Sequence, residues 1–269
     1  HMIKLIASDM DGTLLNDRKE LPGDFFEVFD ELERRGIKFT VASGRSFDAV
    51  AHLFPEEYRT RLDFICDNGA NVIHEGKQVS VTPLDRPTFE QLIRACEDIG
   101  GLRILVCAGR GTYHLTADAE FSAEIAKYYK NHIPCDDLLS VDDVIYKLAV
   151  CDMKGTQQHA KPAIDAIFGD RLNVQVSGPI WMDVMGAGVS KGSALRALGK
   201  HLGISADDTM AFGDFYNDAD MLQYAGWSFA MENGNPDIKR MTRFLARSNN
   251  ENGVLRAIRQ YALQEDSIK

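Results

Sequence analysis

The sequence predicts an α/β protein built on a parallel sheet, with a second module inserted into it. Short apolar runs that end in turn residues alternate with amphipathic stretches, as in β-α-β units. Acidic or hydroxyl-bearing residues directly follow several of these runs, at the sheet edge where open α/β proteins bind ligands. The middle of the chain instead mixes paired strands with helices, which indicates an α+β insertion.

The first predicted strand, residues 3–7, is followed by Asp9-Met10-Asp11-Gly12-Thr13. At a strand end, two carboxylates two residues apart can point into one crevice, where they repel each other. A divalent cation can bind both, or one carboxyl can stay protonated, which makes the pair a nucleophile beside a general acid. For this motif alone, a strand followed by an ordinary Asp-Gly turn is the alternative.

The next elements continue the parallel domain. A strand over residues 37–42 ends in Ser43-Gly44-Arg45, where a hydroxyl, a backbone N–H and a guanidinium are suited to a phosphoryl oxygen. The alternative is that Ser43 only caps the following helix. A third strand, residues 64–66, leads to a hairpin that is expected to turn at Glu75-Gly76.

The inserted module is expected over residues 84–186, and the core domain over 1–83 and 187–269. Within the insertion, the patterns predict helices over 88–99, 119–131 and 157–168 and strands over 102–108, 112–115, 144–151, 172–176 and 181–184. Asp183, next to Trp181 and Met182, is a candidate for a residue of the insertion that faces substrate. The alternative is a polar residue on the outer face of its strand.

Ser190-Lys191-Gly192 precedes a helix predicted over residues 193–202. A lysine in the first turn opposes the helix dipole, so its position indicates a function rather than a structural role. It could bridge the carboxylates and an incoming phosphate, or it could be an ordinary solvated lysine.

A late strand over residues 209–212 ends in Gly213-Asp214-Phe215-Tyr216-Asn217-Asp218. Asp214 is placed to complete an oxygen-ligand set with Asp9 and the carbonyl of Asp11, as Mg²⁺ prefers. Asp218 is expected behind these ligands, supporting them. The alternative for both aspartates is an acidic turn that caps the next helix.

The charge of the chain limits its partners. A formal net charge of -10 argues against a nucleic acid or an anionic membrane that would need a broad basic surface. A phosphate could then be held only by a local cluster of donors, by a metal ion, or by both. No apolar run approaches a membrane span and no signal core is evident, so a cytoplasmic location is expected. The sequence predicts no particular oligomeric state.

Taken together, the motifs DxDGT, SGR, KG and GDxxND, in this order, resemble those of the haloacid dehalogenase superfamily of phosphohydrolases. The position and size of the insertion are similar to the C2B cap of the Cof-type branch, class IIB. Further likenesses to this branch are Asn68-Gly69-Ala70, Asp220-Met221-Leu222 and residues 248–254. The resemblance covers the whole chain and implies a Rossmann-like core with a cap.

The resemblance also implies roles for individual residues. Asp9 would attack phosphorus to give an aspartyl-phosphate, and Asp11 would protonate the leaving group and later activate water. Mg²⁺ would be bound by Asp9, the Asp11 carbonyl and Asp214. The residues expected around the phosphoryl group are Met10, Ser43, Gly44, Lys191 and Asn217, with Arg45 either touching the substrate or shaping the pocket.

Two stretches depart from the family pattern without removing a catalytic group. Phe215 and Tyr216 fill the variable positions of GDxxND with bulk, and residues 230–236 are looser than the usual Met-Gly-Asn-Ala pattern. Only the shape of the pocket wall is affected.

The function predicted is a magnesium-dependent phosphatase of small phosphorylated metabolites, most of all sugar phosphates. One alternative is a phosphomutase or phosphotransferase, which passes the same phosphoryl group to an acceptor other than water. Another is a binding or regulatory protein that has lost turnover, against which the intact Asp9, Asp11, Lys191 and Asp214 argue. A phosphorylated transport ATPase would need membrane spans, which the sequence lacks.

Overall fold

The computed structural model describes residues 2–265, apart from the side chains of residues 127 and 128. The chain divides into two compact units. The first comprises residues up to Gly44, His52–Val79 and the chain from Ser190 onward, and the second comprises Arg45–Ala51 and Ser80–Val189. In the described part of the chain, no helix is both long enough and apolar enough to cross a membrane. The predicted domain boundaries at 83/84 and 186/187 stay a prediction.

Strands and helices follow one another along the described chain. The strands are β1 Leu5–Asp9, β2 Lys38–Ala42, β3 Asp63–Cys66, β4 Asn71–His74, β5 Lys77–Val81, β6 Leu102–Ala108, β7 Thr112–Leu115, β8 His132–Cys135, β9 Ile145–Asp152, β10 Leu172–Val176, β11 Trp181–Gly186, β12 Thr209–Gly213, β13 Trp227–Met231 and β14 Phe244–Ala246. The helices are α1 Phe25–Arg34, α2 Phe47–Ala51, α3 Glu56–Arg59, α4 Arg86–Ile99, α5 Ala119–Tyr128, α6 Lys161–Phe168, α7 Lys191–Leu202, α8 Ala219–Tyr224, α9 Pro236–Met241 and α10 Gly253–Ala257.

The larger sheet has the order β14-β13-β12-β1-β2-β3-β4-β5. Neighbouring strands from β14 to β3 run parallel, and β4 pairs with β3 in the antiparallel direction. All five residues of β1 are buried, because the strand lies in the middle of the sheet and both of its faces are covered. This arrangement confirms the predicted α/β fold with a parallel sheet.

Helix α1 shows how the sequence positions the layers. Its buried residues recur with helical spacing, at Phe25, Val28, Phe29 and Leu32. The ring of Phe25 packs edge-on against Phe39 of β2, with 5.4 Å between the ring centroids. The apolar stripe of the helix therefore packs on the sheet.

The smaller sheet, in the second unit, has the order β10-β11-β9-β6-β7-β8. Its pairings are antiparallel except for the parallel pair β7/β8. Helices α4 and α6 pack against alternate residues of β6 and β9, and α5 packs against the residues between them. Because side chains alternate between the two faces of a strand, α4 and α6 lie on one face of the sheet and α5 lies on the other. This confirms the α+β insertion.

Several elements differ from the sequence prediction. Helix α5 ends at Tyr128 rather than at residue 131, and the chain continues into the unpredicted strand β8. Strand β8 is short and contains Pro134, which is tolerated because β8 lies at the edge of its sheet. Helix α7 begins at Lys191, so the lysine lies in its first turn.

Candidate active site

Two aspartates meet at the carboxyl edge of the larger sheet. Asp9 is the last residue of β1, and Asp214 follows β12 directly. Strands β1 and β12 are parallel neighbours in which Ser8 is opposite Phe212, so the ends of the two strands lie side by side. Residues about 200 positions apart in the sequence are thereby brought into contact.

The turn after β1 brings its backbone very close to Asp214. Gly12 has a φ of +75°, and a Cβ atom at this position would lie 2.3 Å from Oδ2 of Asp214. The hydroxyl oxygen of Thr13 lies 3.3 Å from Oδ2 of Asp9 and 3.1 Å from Oδ1 of Asp214. Thr13 therefore ties the two carboxylates together, a role that its place in the DxDGT motif did not reveal.

Lys191 is completely buried, so the alternative of an ordinary solvated lysine is wrong. Its Nζ lies 2.9 Å from Oδ1 of Asp9 and 2.7 Å from Oδ1 of Asp218. Ser190 caps the helix by accepting a hydrogen bond from the backbone N–H of Ser193. The helix start thus presents its first-turn lysine to two carboxylates that are both buried.

Asp218 holds the loop that carries Asp214. Its Oδ2 accepts hydrogen bonds from the backbone N–H groups of Asp214, at 2.9 Å, and Phe215, at 3.3 Å. Its other oxygen accepts from Lys191. Both oxygens of Asp218 are therefore engaged by protein groups, as expected of a residue that supports the ligands rather than replacing them.

Burial governs the electrostatics of this cluster. It raises the pKa of Asp9 to about 7, with Lys191 opposing the rise and the neighbouring Asp214 adding to it. Burial likewise raises the pKa of Asp218 to about 6, and it raises the pKa of Asp214. For Lys191, burial disfavours the charge, but the carboxylates of Asp218 and Asp9 outweigh it and raise its pKa.

The donor set fits a divalent cation. Carboxylate oxygens of Asp9, Asp214 and Asp218 all lie within 4.8 Å of one another. Three carboxylates around the single ammonium of Lys191 leave an excess of negative charge in a buried place, which is costly unless a cation or protons compensate it. Oxygen donors of this kind are the ligands that Mg²⁺ prefers.

The predicted phosphate-binding residues of the first unit lie at the same sheet edge. Ser43 and Gly44 follow β2, the strand next to β1, and both Ser43 and Met10 are buried. Asn217 lies in the turn after β12 and donates a hydrogen bond from Nδ2 to Oδ1 of Asn68, at 3.3 Å. In the sequence, Asn68 stood out only as a likeness to the Cof-type branch.

Asp11 has a partner that no motif indicated. Nζ of Lys19 lies 3.0 Å from Oδ1 of Asp11, and both side chains are substantially exposed. Lys19 has a φ of +64° in a loop closed by Asn16, whose Oδ1 accepts from the N–H groups of Arg18 and Glu20. The sequence signal for this contact was only an Asn-initiated turn after the DxDGT motif.

Arg45 and Asp183 fall in the second unit. Asp183 is buried in β11, with Oδ1 at 3.1 Å from Nζ of the equally buried Lys147 on β9. A polar residue on an outer strand face, the alternative for Asp183, is therefore wrong. The lysine within the apolar run 144–151 is the feature of the sequence that indicates this ion pair, because lysines are almost never fully buried unless they are paired.

Comparisons with known proteins show relatives that match over nearly the whole chain. A family model described as haloacid dehalogenase-like hydrolase matches residues 6–258. The 5-amino-6-(5-phospho-D-ribitylamino)uracil phosphatase YbjI of Escherichia coli (strain K12) is 31% identical over 258 residues, which cover 95% of each chain. The crystal structure of SMU.1108c from Streptococcus mutans UA159 superimposes with a TM-score of 0.91 at 28% identity, covering 98% of this chain and 100% of that one.

A more distant structure shares the fold. The subclass IIB sugar phosphatase BT4131 has a TM-score of 0.83 at 19% identity, with coverage of 97% of this chain and 99% of that chain. At this identity the likeness concerns the fold alone. It extends across nearly the whole length of both chains.

Proposed function

Because this chain belongs to the haloacid dehalogenase-like hydrolase family, we propose that it is a magnesium-dependent phosphatase that acts on sugar phosphates. The resemblance that the motifs predicted is confirmed. The chain is a phosphatase of small phosphorylated metabolites, as its family relatives are. The magnesium requirement, the sugar and the roles of individual residues are the proposal.

One observation carries it: the buried carboxylate of Asp9 stands at a strand end with the ammonium of Lys191 at 2.9 Å. A carboxylate is a nucleophile for phosphorus, and an adjacent buried ammonium can offset the charge of an incoming phosphoryl group. The acidic surroundings favour a further cation, because carboxylate oxygens of Asp214 and Asp218 lie within 4.8 Å of that of Asp9.

Asp9, Asp214 and the carbonyl of Asp11 would hold Mg²⁺. When bound, Mg²⁺ would supply positive charge to the phosphoryl oxygens and relieve the repulsion among the carboxylates. Asp218 would hold the Asp214 loop through its two N–H contacts. Lys191 would donate its third N–H to a phosphoryl oxygen, because Asp9 and Asp218 accept from the other two.

In the first step, an oxygen of Asp9 forms a bond to phosphorus while the ester oxygen departs with its electron pair. Asp11 gives its proton to that departing oxygen, which leaves as an alcohol. In the second step, the Asp11 carboxylate takes a proton from water, and the water oxygen attacks phosphorus. The bond from phosphorus to Asp9 then breaks, so free phosphate leaves and Asp9 is regenerated.

The proposed substrates share an alkyl phosphate ester on a hydroxylated carbon chain. YbjI is named for a substrate that carries a phosphoribityl group, which is an ester of this kind. We keep Asp183 as the proposed residue of the inserted module that faces substrate; within the second unit its carboxylate pairs with Lys147.

The test is phosphate release from a panel of sugar phosphates, sugar-alcohol phosphates, nucleotides and an aryl phosphate, with and without Mg²⁺. Asp9→Asn, which keeps the shape of the side chain, serves as the blank. Release that needs both Mg²⁺ and Asp9, without an added acceptor, supports hydrolysis over phosphoryl transfer. No release from any ester by a folded protein that binds Mg²⁺ would overturn the proposal in favour of transfer or a binding role.

A further inference from the structure

The segment after β3 has an unusual backbone. Asp67, Asn68 and Gly69 have φ values of +50°, +56° and +110°, and all three residues are buried. Left-handed residues other than glycine are uncommon, although asparagine tolerates this conformation better than most. Such a run persists only where surrounding contacts specify it.

Asn68 contacts the predicted phosphate-binding groups on two loops. Its backbone N–H donates to the carbonyl of Ser43 at 3.1 Å, and its Oδ1 accepts from Nδ2 of Asn217 at 3.3 Å. Its side chain also lies against Gly44, where an added Cβ would be 3.2 Å from Oδ1 of Asn68. The loop after β2 and the loop after β12 therefore meet on this one buried side chain.

Gly69 allows the start of helix α7 to approach the same segment. A Cβ at Gly69 would lie 2.1 Å from the carbonyl oxygen of Ser190, the residue that caps α7. Only a glycine allows the helix start to approach this closely. The position of Lys191, the next residue, therefore depends on the same segment.

The bond to Asn68 also orients the amide of Asn217. An amide group has an acceptor end and a donor end, and only the donor end can bind a phosphoryl oxygen. Because one N–H of Asn217 is held by Asn68, its NH₂ group is turned toward the Asn68 side chain, and the second N–H of that group is left for a ligand. Without the acceptor on Asn68, the amide could rotate and present its oxygen to the phosphate.

We propose that Asn68 is a positioning residue for phosphate binding, which acts by orienting Asn217. The inference rests on the proposed function, since it assumes that Asn217 binds phosphoryl oxygens. It adds the residue that holds Asn217 in place and links it to the Ser43-Gly44 turn.

The test uses Asn68→Gly, Asn217→Ala and the double variant. Glycine accepts the left-handed backbone without penalty, so Asn68→Gly removes the side chain while the fold is retained, which thermal unfolding would verify. Asn252→Gly is the matched control, because Asn252 is also left-handed, with a φ of +54°, and has no assigned role at the site. The readouts are KM, kcat and the affinity for inorganic phosphate, measured by calorimetry with Mg²⁺ present.

We expect Asn68→Gly to weaken phosphate affinity and to raise KM by roughly 5- to 20-fold, since an oriented hydrogen bond to a charged group is lost. Asn252→Gly should match the wild type. The double variant should be no worse than Asn217→Ala, because Asn68 acts through Asn217 and the two losses are not additive.

Unchanged phosphate affinity in Asn68→Gly, or losses that multiply in the double variant, would overturn the inference. A wild type that binds phosphate but hydrolyses no ester would refute the proposed function while the coupling between Asn68 and Asn217 is still read from phosphate affinity. A wild type that binds no phosphate would overturn both.

Discussion

Gly12→Ala should separate catalysis from stability at this site. Gly12 has a φ of +75°, and its Cβ would lie 2.3 Å from Oδ2 of Asp214, whereas ordinary van der Waals contact begins at 3.4 Å. The Asp214 oxygen must therefore move by about 1 Å, which exceeds the displacement of about 0.5 Å that catalytic geometry tolerates. The methyl group meets the end of a side chain rather than a backbone atom, so the fold can adjust around it.

The magnitude follows from that displacement. A misplacement of about 1 Å costs roughly 100-fold in rate, which is about 2.7 kcal/mol of transition-state stabilisation. The left-handed backbone of an alanine costs about 1 kcal/mol of folding stability. We expect kcat/KM to fall roughly 100-fold and more Mg²⁺ to be needed for half-maximal activity, with only a small loss of stability.

Gly36→Ala is the matched control. Gly36 has a φ of +73°, almost that of Gly12, and no atom lies within 4 Å of its Cβ position. Both variants thus carry the same backbone penalty, and they differ only in the contact with Asp214. Urea unfolding measures stability, and phosphate release over a range of Mg²⁺ concentrations measures function.

The reasoning would be refuted if the two variants had the same kcat/KM and the same Mg²⁺ requirement. It would also fail if Gly12→Ala lost stability far beyond Gly36→Ala, since the fold would then have absorbed the clash. A selective loss of function in Gly12→Ala is the outcome that the geometry predicts.

Three further predictions follow from the charges. Asp11→Asn should slow hydrolysis of a sugar phosphate by roughly 100-fold or more. It should slow formation of the phosphoenzyme from p-nitrophenyl phosphate much less, because that leaving group needs no proton. Equal losses for the two substrates in single-turnover assays would contradict the role of Asp11 as an acid. The pKa of Asp9 is raised from 3.8 to about 7, so the folded state binds the extra proton in this window and stability falls as pH rises through it. Mg²⁺ competes with that proton, so thermal unfolding should show a larger stabilisation by Mg²⁺ at about pH 8 than at about pH 5.5, a difference that Asp9→Asn should reduce. Burial lowers the pKa of His114 below 6.5, with His132 adding to the effect, so the protein should lose stability as pH falls below 6.5. In His114→Gln, the midpoint of urea unfolding should depend less on pH than in the wild type. Parallel pH profiles of the two proteins would contradict this.

The sequence predicted the regular elements best where burial was uniform. Strand β1 is buried throughout, and its run of apolar residues was sufficient to identify it. Strands β8 and β14 were missed because they are only four and three residues long, which is too short to show a periodic pattern. Their pairing is decided by neighbouring strands rather than by their own composition.

In the candidate site, too, some residues were evident from the sequence and others only from the structure. The acidic, hydroxyl and lysine residues were found because each follows a strand or opens a helix, and their types suit phosphate chemistry. Lys19 and Lys147 were not found, because each is an unremarkable residue type whose importance lies only in its partner. Thr13 was visible as part of the DxDGT motif, but its contacts with Asp9 and Asp214 were not. Asn68 was visible as part of a motif, but its contact with Asn217 was not.

By itself, the sequence determined which chemistry is available and which family this chain belongs to, since those depend on residue types at set spacings after predicted strands. Only the tertiary structure decided which residues meet: Lys191 with Asp9 and Asp218, and Asn68 with Asn217, pairs up to 182 positions apart. Such contacts depend on strand order and on close backbone approaches at Gly12 and Gly69. Neither leaves a local signal, because periodicity reports which face of an element is buried and not what lies against it.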